Sequence, residues 1–127
     1  MNTSTHHVEG GKIPSGEWPQ WPNPAMKFED SRTPVPTGTI ESQTRDKRVS
    51  SGMWSVEPSA FEVTFPWDEF IHILEGEAVV EDLETGRSID LKPGHIAHFE
   101  LGSRTRWTVT KTIRKYYVIR TPEPLVR

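Results

Sequence analysis

The chain has 127 residues and is 33% hydrophobic, enough for one domain with a small core and no second large one. Fifteen Lys and Arg against eighteen Asp and Glu leave a formal charge of −3, so the basic stripe of a nucleic-acid binder is not expected. No apolar run reaches the roughly 18 residues of a membrane span, and the absence of cysteine excludes disulfides, thiolate ligands and a cysteine nucleophile. The polar N-terminus carries no signal-like pattern, so a cytoplasmic location is expected.

Composition changes near residue 50. Pro14, Pro19, Pro22, Pro24, Pro34 and Pro36 forbid a long helix in residues 1–50. Such a composition permits disorder. Trp18 and Trp21, which a solvated linker has no reason to carry, point instead to an extended arm lying on the globular part or on a partner chain. Residues 51–127 read as strands. Phe61, Val63 and Phe65 alternate with Glu62 and Thr64. Phe70–Leu74 is a short apolar run stopped by Glu75-Gly76, and Ala78-Val79-Val80 follows. Turns are expected at Glu84-Thr85-Gly86, Lys92-Pro93-Gly94 and Leu101-Gly102-Ser103. Thr105, Trp107 and Val109 alternate again, and Tyr116–Ile119 closes the series. About eight short strands with frequent turns predict an all-β barrel or sandwich.

Two ordered groups of residues resemble a known family. Six residues separate Glu69 from Gly76, and Gly94 is followed by Glu100, Leu101, Gly102 and Thr105. This is similar to the two-motif frame of the RmlC-like cupin superfamily. Trp54, the string Asp68 to Glu77, Pro93-Gly94, Trp107 and Arg114-Lys115-Tyr116-Tyr117 narrow the resemblance to the small ureidoglycine aminohydrolase-like (DUF861) group. The resemblance spans about residues 51–120 and implies a double-stranded β-helix, the jelly-roll cupin barrel, with an interior pocket. Many cupins hold a divalent metal there on two His and a Glu of the first motif and a His of the second. Here those positions are Val63, Phe65, Glu69 and Thr105, or Glu62 and Thr64 if the spacer is one residue longer. One carboxylate is too few ligands, so no metal and no other cofactor is expected. His72, His95 and His98 fall outside the ligand register, and His6-His7 sits in the polar arm.

The resemblance projects Val63, Phe65, Glu69, Ile71, Ile73, Thr105 and Trp107 inward. It aligns Tyr116 with an active-site tyrosine and Arg120 with a substrate-binding lysine. The candidate site is therefore Glu69 and Tyr116 as catalytic groups, with Phe65, Thr105, Trp107 and Arg120 binding substrate, and Lys115 and Tyr117 on the opposite face. A partly desolvated Glu69 suits acid–base chemistry. The expected function is a small-molecule cupin, a metal-independent isomerase, lyase, hydrolase or cyclase on a small polar or anionic metabolite. A non-catalytic ligand-binding cupin and a metal cupin with ligands rebuilt from Glu62, Glu69 and a histidine are the alternatives. In a purely structural role, Glu69 is instead a buried carboxylate paired with Arg106, Arg114, Lys115 or Arg120, and Trp54, Trp67 and Trp107 are packing. A homodimer is expected because so small a barrel has an unfavourable ratio of surface to volume; neither nucleic acid nor a membrane is expected as a partner.

Overall fold

The computed structural model describes residues 8–126, so the histidine pair of the arm lies outside the described residues. Nine strands and no helix are found among the described residues; accordingly no helix is long and apolar enough to cross a membrane. Three short strands belong to the arm: β1 (Met26–Phe28), β2 (Thr37–Gly38) and β3 (Ser42–Gln43). Six build the barrel: β4 (Val49–Val56), β5 (Ser59–Thr64), β6 (Asp68–Asp82), β7 (Ser88–Leu91), β8 (Ile96–Phe99) and β9 (Arg104–Arg120).

Two of these strands are much longer than the sequence pattern suggests. β6 joins two expected strands into 15 residues, and β9 joins two more into 17. Glu75-Gly76, expected to stop a strand, is instead a bulge within β6, for the register against β9 shifts repeatedly between Ile73 and Ala78. Gly76 has φ of 95° there, and a Cβ on it would overlap the Thr112 carbonyl. In β9 the polar run Thr110-Lys111-Thr112 looks like a break because its side chains are exposed, yet the backbone stays extended.

β9 organises the sheet. Its first half pairs with β5, from Val109 opposite Ser59 to Arg104 opposite Thr64. Its second half pairs with β4, from Ile113 opposite Val56 to Arg120 opposite Val49. β6 runs antiparallel along its other side and carries β8 on Glu69–His72 and β7 on Ala78–Glu81. The bulged, twisted sheet curls on itself in the all-β jelly-roll manner. It encloses Val56, Phe61, Ile71, Ile73, Val80, Leu91, Trp107 and Ile113. Stacked rings reinforce the core: Phe65 on Phe99 at 4.6 Å and Phe61 on Trp107 at 5.9 Å. Each such pair contributes about 0.5–1.5 kcal/mol beyond its buried area.

The arm packs on its own barrel. Trp18 is buried under the Arg114 guanidinium, 3.9 Å from the ring centroid. Met53 pairs with Tyr116 on the outward register of β4, yet it is fully buried because Ile13, Pro14 and Trp18 lie beside it. The arm then turns to the barrel mouth. There Trp21 donates its backbone N–H to Pro36, and Met26 pairs with Val63 through β1.

Candidate functional site

Alternation along β6 turns Glu69, Ile71 and Ile73 inward. Along β9 it turns Thr105, Trp107, Val109, Ile113, Lys115, Tyr117 and Ile119 inward. The two registers bring Lys115 Nζ to 2.7 Å from Glu69 Oε2, with each side chain only 7% exposed. Trp67, just before β6, donates its indole N–H to the other oxygen, Glu69 Oε1, at 2.9 Å. The ammonium also lies 4.4 Å from the centroid of Trp54 and 5.3 Å from that of Trp107, within cation–π range. A buried ion pair is tolerated when both charges are matched and hydrogen-bonded, as here.

The pair faces a cavity of about 50 Å³. At roughly 10–15 Å³ for each water, that is room for a few atoms rather than a large metabolite. Phe61, Val63, Trp107, Tyr117 and Ile119 supply its strand walls, Phe65 just after β5 adds to them, and Trp21, Asn23 and Met26 of the arm close it. Tyr117 is fixed by its hydroxyl, which donates to the Thr39 carbonyl at 2.6 Å. Gly52 faces it across β4, where a Cβ would lie 2.8 Å from the Tyr117 hydroxyl and overlap Thr39. Apolar walls around a few placed polar groups are the usual make-up of a ligand pocket.

The structure brings Glu69, Phe65 and Trp107 together at the cavity, as the sequence suggests. Three other expected placements need correction. Tyr116 is 38% exposed on the outer face of β9, where it pairs with His72 and Met53. Arg120 also points outward, and its guanidinium lies 2.8 Å from Asp68. The inward positions in this stretch are odd-numbered, so Lys115 and Tyr117 occupy the places expected for Arg120 and Tyr116. Thr105 is buried but does not line the cavity. Its hydroxyl donates to the Val63 carbonyl at 2.9 Å and accepts the Trp107 indole N–H at 3.1 Å. The residues missed from the site are Lys115, Tyr117, Trp67 and the arm's Trp21. Continuous alternation from Trp107 through β9 is the signal that finds the first two.

The residues do not fit the divalent metal of many cupins. Three of the four ligand positions are Val63, Phe65 and Thr105, and both oxygens of the fourth, Glu69, are engaged by Lys115 and Trp67. Glu62 points outward to Arg106 at 3.1 Å, so it cannot rebuild the set. His98 stacks on Phe70 outside the barrel at 4.1 Å, His72 is exposed, and a His95 ring nitrogen sits 3.0 Å from the Asp90 carbonyl. Among the described residues no three His, Asp or Glu side chains are grouped to hold a metal ion.

Charges on the outer face serve the sheet. Arg106 bridges Glu29, Glu62 and Glu81 at 2.6, 3.1 and 3.2 Å, and the hydrogen bond it donates to the Glu29 carboxylate leads in holding it more firmly protonated. Lys111 reaches Glu77 at 3.5 Å. The Leu101 backbone N–H, and then Arg120, hold the Asp68 carboxyl below its usual range.

A family model described as the EutQ-like cupin domain matches residues 43–117. The structure of the EutQ protein of Clostridium difficile is 20% identical, with a TM-score of 0.61, over 74% of this chain and 75% of that one. A putative ethanolamine utilization protein Q from Salmonella typhimurium is 23% identical, with a TM-score of 0.58, over 68% and 69%. Ectoine synthase from P. lautus is 16% identical, with a TM-score of 0.60, over 73% and 67%. At these identities the likeness is one of fold. No curated protein matches the chain.

Proposed function

The chain belongs to the EutQ-like cupin family, and from that premise we propose that it is a metal-independent enzyme acting on a small polar metabolite in the cavity beside Glu69. The buried Glu69–Lys115 pair carries this reading. Burying two ionised groups against aromatic rings is costly, and hydrophobic residues of similar size would commonly hold a core as well or better. Held at a cavity wall, the pair has a chemical use. Glu69 takes a proton from the substrate or returns one, and the adjacent ammonium stabilises negative charge that develops on a substrate oxygen. Lys115 thus supplies positive charge next to the one family ligand that survives.

A second reading has its own support. Both Glu69 oxygens already have protein partners, which suits a rigid ligand-binding cupin as well as a proton carrier. The proposal also takes the chain as a cytoplasmic homodimer. Support for the dimer is the apolar outer face of β6 and β8, where Phe70 is 54% and Ile96 is 78% exposed.

The test is a metabolite screen by thermal shift, followed by turnover of each hit with the wild type and with Glu69→Gln below its melting temperature. Turnover lost in the variant supports the enzyme. Hits that bind but are never turned over favour the binding reading. An absence of hits that depend on Glu69 overturns both.

A further inference from the structure

We infer that the ligand of this cavity is electrically neutral and carries a hydrogen-bond acceptor beside a donor, as in a small carboxamide, urea or lactam. The inference rests on reading the cavity as a ligand site and narrows the ligand from merely polar to neutral.

Charge balance is the first argument. Among the described lining residues the charged groups are Glu69 and Lys115, one negative and one positive. They are 2.7 Å apart and equally buried, so the cavity already carries matched charge. An entering carboxylate would place two negative groups on one ammonium, and an entering ammonium would place two positive groups on one carboxylate. Either leaves a buried charge without a partner, which costs far more than a missing neutral hydrogen bond. The cations that would suit an anion, Arg114 and Arg120, are on the outer face over Trp18 and against Asp68.

Hydrogen bonding is the second. Lys115 has three N–H groups, and its one hydrogen-bond partner among the described residues is Glu69. Its remaining donors face Trp54 and Trp107, which a carbonyl oxygen can outcompete. Glu69 accepts one bond at each oxygen and keeps further lone pairs for an N–H or O–H. A carbonyl with an adjacent N–H bridges the two, oxygen to Lys115 and hydrogen to Glu69. The walls of Phe61, Trp107 and Tyr117 suit a flat group, and about 50 Å³ limits it to a few heavy atoms.

The experiment uses propionamide, propionate and propylammonium, three probes of closely similar size and different charge. Titration to the order of 10 mM or above follows the tryptophan indole N–H resonances, Trp67 among them, in the full chain. The wild type should prefer propionamide over either ion by about tenfold or more. Glu69→Gln leaves a net positive cavity and should turn the preference to propionate. Lys115→Met leaves a net negative one and should turn it to propylammonium. The double variant should return to the amide, which keeps the test open if one single variant folds poorly. An ion bound best by the wild type, or a preference that does not follow these charge changes, overturns the inference but keeps the cavity as a ligand site. If no probe perturbs an indole resonance in any of the folded proteins, the ligand-site reading falls with it.

Discussion

Lys115 Nζ lies 2.7 Å from Glu69 Oε2, although the two residues stand 46 positions apart and join different strands of the barrel. This contact predicts strong coupling between their substitutions. Lys115→Met leaves a buried carboxylate with only the Trp67 indole, and should cost about 3–5 kcal/mol. Glu69→Gln keeps a carbonyl for the ammonium but removes its counter-charge and turns an amide NH2, a donor, toward the Trp67 N–H. It should therefore be destabilising too. The double variant replaces both charges and should recover much of the loss. Urea denaturation at neutral pH checks this, and additive losses would mean that the two groups do not depend on each other.

Neighbouring tyrosines should behave differently. Tyr117→Phe removes the hydroxyl bond to Thr39 at the cavity wall and should cost about 1 kcal/mol while weakening any ligand. Tyr116→Phe, on the exposed face, should stay within about 0.5 kcal/mol and leave binding unchanged. Arg120→Gln should likewise spare the ligand, because its partner is Asp68 outside the barrel. Loss of binding in Tyr116→Phe but not in Tyr117→Phe would reverse the assignment of faces.

These faces show what the sequence can and cannot tell. Alternation in Phe61-Val63-Phe65 and the spacing of Glu69 and Gly76 point to the barrel, and Glu69, Phe65 and Trp107 do meet at one cavity. The β9 assignment fails for a physical reason. Read as two strands, Thr105–Val109 and Tyr116–Ile119 have independent parity, and family alignment then selects Tyr116 and Arg120. As one unbroken strand, the odd positions that bury Trp107 must also bury Lys115 and Tyr117. Exposed Thr110-Lys111-Thr112 hides that continuity. The contribution of Trp21, Asn23 and Met26 depends on where a proline-rich arm docks, and local periodicity carries no such information.

Acid should destabilise the protein in part through Asp68. The Leu101 N–H, and after it Arg120, stabilise its charged form and lower its pKa in the folded state. A depressed carboxylate pKa contributes stability in full above the unfolded value, near 4, and loses it as pH falls through the folded value. Asp68→Asn should therefore weaken the dependence of melting temperature on pH below about 4, with little change in that slope at neutral pH. An unaltered acid limb in the variant would contradict this role.

Metal content offers a separate check on the donor set. Protein prepared without chelator should carry well under one equivalent of Mn, Fe, Ni, Cu or Zn, because Val63, Phe65 and Thr105 offer no side-chain ligand set and Glu69 is paired. Elemental analysis near one metal per chain would require ligands that the described residues do not bring together.

Gly52 links the arm to the cavity, and its substitution should damage both. It lies opposite Tyr117 on β4, with its open side against the Thr39 carbonyl that the Tyr117 hydroxyl binds. A methyl group there would overlap Thr39 and sit 2.8 Å from the hydroxyl. The arm's backbone would have to withdraw from β4, or the tyrosine would have to leave its acceptor. Overpacking of this kind costs about 1–3 kcal/mol, and the lost hydrogen bond adds to it. Gly52→Ala should thus lower the melting temperature and, by shifting Tyr117, weaken ligand binding. The double variant Gly52→Ala with Tyr117→Phe removes the hydroxyl side of the clash and should lose less than the sum of the single changes. Strict additivity in urea denaturation would show that the methyl acts on Thr39 alone, and that Gly52 does not position the cavity wall.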